Sequence, residues 1–199
     1  MSSYKFKPFE ELPVIHDLPD PFIGPDGKRI TSKEEWPKQR EYLLSMLDYY
    51  LYGPMPPVPA FLKGEVLSRE SRFGGDVVYE TVKLCFEGFT FNIDVMRPNK
   101  PGRFPAICYT TFSKVFGTMP AEWEAVCERG YVLASFAVNE IAFDRREGGG
   151  PIYDAYPDWE GKTIMAWAWG LMRIIDYLLT CDYIDPDRII VTGCSRLGK

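Results

Sequence analysis

Three continuous apolar runs constrain this chain more than any other feature: residues 104–111, 131–138 and 188–192. A strand with one wet face alternates apolar and polar residues, whereas a strand covered on both faces does not. Between these runs, residues 120–129 and 162–180 fit helices. Strand, helix, strand, helix, strand in succession specifies crossovers between parallel strands. Residues 64–97 read differently. Val78, Val82, Leu84 and Phe86 share one parity, and so do Phe89, Phe91, Ile93 and Val95 across a turn at Glu87-Gly88. That alternation predicts antiparallel strands. The expected fold class is α/β: a sandwich whose antiparallel N-terminal strands lead into a mainly parallel sheet. Such folds place their chemistry in loops at the C-terminal ends of the parallel strands.

The other segments are expected to serve that sheet. Residues 1–35 read as an irregular arm, with turns at Pro19-Asp20-Pro21 and Gly24-Pro25-Asp26-Gly27. Residues 36–199 read as one domain. It opens with a helix over 36–51, whose Leu43, Leu44, Leu47, Tyr50 and Leu51 recur on one face. Ser32 and Glu35 have capping-box spacing, but Pro37 in the first turn leaves the start of this helix open. Residues 139–161 are expected to be a long loop holding Gly148-Gly149-Gly150-Pro151, and Asp185-Pro186-Asp187 a turn before the third apolar run. The helix at 162–180 is apolar nearly all round, yet Arg173 and Asp176 sit within it at a spacing that lets them pair. It is read as packed inside an α/β domain and not as a membrane span.

Composition narrows the function. A net charge of −5 argues against a nucleic-acid partner. The N-terminal residues lack an apolar signal core, so a cytoplasmic location is expected as the chain stands, or secretion if a leader was removed. Of the five cysteines, Cys85, Cys108, Cys127 and Cys181 sit in apolar runs and read as small core residues; Cys194 is the fifth. No C-x-x-C pair is present, and neither a metal nor a cofactor is implied. His16 is the single histidine, which restricts general-base chemistry more than any other count.

The last apolar run leads into Gly193-Cys194-Ser195-Arg196-Leu197-Gly198-Lys199. A strand followed by Gly-x-Ser is the entry to a nucleophile elbow, a sharp turn that lifts a serine hydroxyl clear of the sheet. Flanking glycines make room for the strained backbone. Gly193 is in place, while Gly198 lies one position beyond the common G-x-S-x-G spacing. The same residues also read as G-x-x-x-x-G-K, a phosphate loop without its final Ser/Thr, or as a glycine-rich turn without chemistry.

The motif Gly193-Cys194-Ser195-Arg196-x-Gly198-Lys199 resembles the signature of the glucuronoyl esterases, carbohydrate esterase family fifteen. Upstream, Ala166-Trp167-Ala168-Trp169-Gly170 with Arg173 and Asp176 resembles that family's helix before the nucleophile strand. Tyr52-Gly53-Pro54-Met55-Pro56, after a helix carrying Trp36 and Arg40, resembles its N-terminal region. The resemblance implies an α/β-hydrolase fold. It also implies hydrolysis of an ester between a glucuronic acid carboxyl and an alcohol, as in links between xylan side chains and lignin. Carried across residue by residue, Ser195 is the nucleophile, Arg196 steadies the oxyanion and Lys199 hydrogen-bonds a hydroxyl of the uronate. Surface solvation is the plainer role for Arg196 and Lys199.

In α/β-hydrolases the acid and then the histidine follow the serine, and neither lies after Ser195 here. His16 in the arm runs against that order and reads as an exposed loop residue. Glu140 and Asp144 read as solvated loop charges. The chain is therefore expected to be the N-terminal portion of an esterase, an incomplete α/β-hydrolase sandwich cut at the elbow and inactive alone. The nucleophile strand is expected to expose an edge open to self-association. An acetyl esterase on plant polysaccharide, a nucleotide-binding protein and a non-catalytic carbohydrate-binding relic are the competing functions.

Overall fold

A computed structural model describes residues 4–112 and 121–199. The chain forms two compact units, Met1–Pro54 with Glu160–Lys162, and Met55–Trp159 with Thr163–Lys199.

In the first unit, helix α1 (Trp36–Leu47) continues into a π-helical turn at Asp48–Tyr52. The Glu35 carboxylate accepts the backbone N–H groups of Thr31 and Ser32 and the Ser32 hydroxyl. These hydrogen bonds hold its carboxyl below the usual range. They form the backward half of a capping box, and α1 then begins at Trp36 with Pro37 in its first turn. Only part of the predicted apolar face is covered. Leu43 and Tyr50 are half-buried, whereas Leu44, Leu47 and Leu51 are exposed. Tyr4 and Phe6 of the arm pack on Tyr42, with ring centroids 5.1 and 5.8 Å away. The buried residue of α1 is Gln39, which donates to the carbonyls of Pro21 and Ile23.

The second unit is built on a six-stranded sheet of order β1-β2-β3-β5-β4-β6. Its strands are β1 (Lys63–Arg72), β2 (Val77–Phe86), β3 (Phe89–Pro98), β4 (Phe104–Thr111), β5 (Val132–Ala137) and β6 (Ile184–Val191). The pairs β1–β2, β2–β3 and β3–β5 are antiparallel; β5–β4 and β4–β6 are parallel. Helices α2 (Ala121–Glu128), α3 (Pro151–Ala155) and α4 (Thr163–Leu178) join the later strands. The first residue of the helix predicted at 120–129 lies outside the described residues.

This connectivity explains the layers. The chain moves from β4 to β5 on one side, then back across β4 to β6. With right-handed crossovers, that reversal must put α2 and α4 on opposite faces. The core divides accordingly. Trp169, Ile174 and Leu178 of α4 pack with Leu84, Phe91, Ile93, Ala134 and Phe136 on the larger face. Cys127 of α2 packs with Val77, Met96, Tyr109 and Leu133 on the other, where Trp123 stacks on Tyr109 at 4.8 Å. Strands β4 and β5 read as continuous apolar runs because both their faces are buried, whereas most of β6 is exposed. Each indole of α4 hides its ring and keeps its N–H bonded: Trp167 to the Ala142 carbonyl at 2.9 Å, Trp169 to that of Pro57 at 3.0 Å. Arg173 and Asp176 pair at 2.7 Å as their spacing allows.

Two segments differ from expectation. The turn at Asp185-Pro186-Asp187 lies inside β6, as an irregularity between the pairs Phe104↔Ile184 and Ala106↔Ile189. Asp185 closes it by accepting the Asp187 N–H and the Arg188 guanidinium. The stretch 139–161 is more ordered than a loop, with a 3-10 turn at Val138–Glu140 and the short α3. Among the described residues no helix is long and apolar enough to cross a membrane. Strand β6 is one edge of the sheet, and its Ile190 and Val191 are about half exposed, at 44% and 56%.

Gly170 marks the tightest helix–sheet contact. A Cβ there would strike Ile141 Cδ1 and lie 2.7 Å from Phe136 Cζ. In an exposed helix, glycine to alanine stabilises by about 0.5–1 kcal/mol. Here Gly170→Ala is expected to do the opposite and destabilise by about 1–3 kcal/mol through overpacking. A fall in the urea unfolding midpoint with unchanged slope checks it.

Candidate active site

The predicted nucleophile motif forms a turn directly beyond β6. The Thr192 N–H donates to the Cys108 carbonyl at 3.0 Å, which fixes the strand end against β4. Cys194 is extended, with φ −122° and ψ 140°. Ser195 then takes φ 55°, a left-handed conformation that a serine adopts only under constraint. A 3-10 turn over Ser195–Gly198 follows, with the Leu197 N–H donating to the Cys194 carbonyl at 3.1 Å.

The constraint is the approach of Gly193 to the far side of the turn. A Cβ on Gly193 would strike the Leu197 carbonyl and lie 2.9 Å from Gly198 Cα. A Cβ on Gly198 would lie 2.7 Å from the Gly193 oxygen. The two glycines face each other across the turn, which accounts for the wider glycine spacing. Ser195 is exposed at the crest.

Arg196 lies over the ends of the neighbouring strands. Its Nη1 donates to Asp144 Oδ1 at 2.7 Å, and its guanidinium carbon is 5.3 Å from the centre of the Phe112 ring. Phe112 follows β4, and Asp144 lies in the segment after β5. Asp144 stays exposed in its loop, as expected, but it is paired with Arg196. Glu140 accepts the Asn92 N–H at 3.3 Å. Lys199 is exposed at the end of the turn, and His16 is exposed in the first unit. Nothing in the sequence links Phe112 or Asp144 to Arg196, because the contact spans the fold.

The segment that carries Asp144 is anchored at both ends. Ala142 is fully buried and its carbonyl accepts the Trp167 indole. The Phe143 N–H donates to Gly149 at 2.9 Å, and that of Ile152 to Ile141 at 3.0 Å. Of the cysteines, Cys108 and Cys127 are buried, and desolvation pushes both thiols up to about 12. Cys85 and Cys181 are only half-buried, less than a core role predicts, and Cys194 is exposed beside the serine. Among the described residues no group of three or more His, Cys, Asp or Glu could hold a metal ion.

Fold and site together define an α/β protein with a serine on a strained turn after a parallel strand, at the point where the strand order reverses. The profile of the family described as "Glucuronyl esterase, fungi" matches residues 82–199, a stretch that includes the whole turn, and the chain belongs to that family. The 4-O-methyl-glucuronoyl methylesterase of Podospora anserina is 32% identical over 197 residues, an alignment covering 94% of this chain and 37% of that protein. The solved glucuronoyl esterase of Sporotrichum thermophile is 27% identical, with a TM-score of 0.63 over 90% of this chain and 46% of that one. A glucuronoyl esterase from Solibacter usitatus, 22% identical with a TM-score of 0.78, shares the fold. The chain spans less than half the length of the first curated relatives it matches, 37%, 27% and 44%.

Two outcomes follow from this geometry. Gly193→Ala is expected to destabilise by about 1–3 kcal/mol, since the turn must open to admit the methyl group; urea unfolding measures it. Iodoacetamide at pH 8 is expected to modify Cys194 well before Cys108 and Cys127. Raised thiol pKa values leave little thiolate at the buried pair, and only thiolate reacts. Peptide mass spectrometry gives the order.

Proposed function

We propose that this chain supplies the nucleophile and oxyanion side of a serine carboxylic-ester hydrolase acting on esters of glucuronic or 4-O-methylglucuronic acid. One observation carries the reading: Ser195 stands exposed at φ 55° beyond a parallel strand, next to an arginine held at a fixed place. The names of the curated relatives point to the same chemistry. A variant of the Sporotrichum thermophile enzyme was solved in complex with methyl 4-O-methyl-β-D-glucopyranuronate.

In this mechanism the Ser195 hydroxyl attacks the ester carbonyl and the alcohol leaves. Water then releases the uronate from the acyl-enzyme. Arg196 donates to the oxygen that becomes negative in the tetrahedral intermediate. A donor so placed is typically worth about 3–4 kcal/mol. Lys199 donates to a hydroxyl of the uronate ring. A serine hydroxyl needs a base, and in α/β-hydrolases the acid and histidine come after the serine. The sole histidine of these residues is His16, in the other unit. The 199 residues by themselves are therefore read as inactive. The exposed β6 edge is read as a surface that takes a further strand or a second copy of the chain.

Residues 1–199 are expected to turn over no methyl glucuronate and to react with a fluorophosphonate probe no faster than the Ser195→Ala variant. Serine-dependent turnover would overturn the inactivity. A chain extended by a triad acid and histidine is expected to hydrolyse the glucuronate ester in preference to an acetyl ester, and to lose this with Ser195→Ala. The reverse preference would make it an acetyl esterase.

A further inference from the structure

The Arg196–Asp144 pair presents a chemical problem that the proposed reaction sharpens. Hydrolysis of a uronate ester consumes a neutral ester and water. It releases an alcohol, a proton and an anionic carboxylate. The carboxylate forms at the atom Ser195 attacks, so a guanidinium aimed at the oxyanion is also aimed at the product. An uncompensated arginine holds a carboxylate through paired, charge-assisted hydrogen bonds. A site that stabilises the transition state in this way retains its product as well.

Resting on the reading of Ser195 as nucleophile, we propose that Asp144 sets the charge selectivity of this site: it neutralises Arg196, so that the site accepts the neutral ester and releases the anionic acid. The geometry supports this in three respects. Asp144 Oδ1 accepts from Nη1 of the guanidinium at 2.7 Å, so a carboxylate seeking that nitrogen must compete with one already in place. Arginine carries five N–H donors, so others can meet the oxyanion. The pair is also packed. Phe112 packs a ring 5.3 Å from the guanidinium carbon, and lies 6.2 Å edge-on from Trp167. Trp167 in turn fixes the Ala142 carbonyl two residues before Asp144. Finally, the Arg196 and Asp144 side chains retain 53% and 32% of their exposure. An ion pair this accessible adds little to folding stability, so removing its charge should leave the fold intact.

The test titrates isotope-labelled residues 1–199 with sodium glucuronate, methyl glucuronate and sodium acetate, following the amide signals of residues 193–198 by NMR. Asp144→Asn keeps an oxygen toward Arg196 and removes the charge. It is expected to bind glucuronate and acetate about three- to tenfold more tightly than the natural chain, the scale of one screened charge at a few ångströms. Binding of the neutral ester is expected to change less than about twofold, and added salt should abolish the gain for the anions. In the double variant Asp144→Asn/Arg196→Gln the gain should vanish, which assigns it to that pair. A merely structural role for Asp144 predicts equal effects on ester and acid. Anion affinity that stays the same or falls in Asp144→Asn overturns the proposal, as does a gain shared equally by the ester. Acetate separates this proposal from the functional reading. A gain for acetate without binding of either uronate leaves the role of Asp144 standing and removes the uronate specificity.

Discussion

The two-faced burial of β4 and β5 is the constraint on which the rest of this structure depends. Parallel strands need crossovers, and crossovers of one hand place their helices according to the direction in which the sheet grows. Here growth reverses after β5, so α2 and α4 cover opposite faces. Phe136 and Trp169 meet on one face, and Tyr109 and Trp123 on the other. The same reversal brings the chain beyond β6 against β4. Phe112, the segment after β5 and the turn after β6 consequently converge at one end of the sheet.

At that end strain and charge are combined. The approach of Gly193 to Leu197 and Gly198 drives Ser195 to positive φ, so a backbone that would relax in isolation is closed by its own ends. Arg196 leaves the same turn and crosses the tip of β4 to reach Asp144. One strained turn thus sets two side chains in opposite senses, the hydroxyl free and the cation compensated.

Much of this architecture was legible in the residues. The apolar runs gave β4 and β5 almost to the residue and β6 from Arg188 on, four residues after its start, and the alternation of Val82, Leu84 and Phe86 against Phe91, Ile93 and Val95 gave the β2–β3 hairpin and its turn. The turn carrying Ser195 was legible because glycine–x–serine after a strand is a local pattern with a local steric cause. Glu80 was not. It occupies the parity of the core residues at 2% exposure, tolerated because Arg69 pairs with it at 2.6 Å from the next strand. The exposure of Leu44 and Leu47 on α1 was not legible either, since periodicity reports which face is apolar and not what covers it.

The sequence by itself determined the fold class, the family and the position of the serine, because each rests on patterns confined to a strand, a helix or one turn. Only the tertiary structure decided what Arg196 touches. Its partner lies 52 residues earlier in the chain, after a different strand, and no spacing encodes that contact. It exists because the sheet reverses its growth at β4 and sets three strand ends side by side. Asp144 is thereby the ion-pair partner of Arg196.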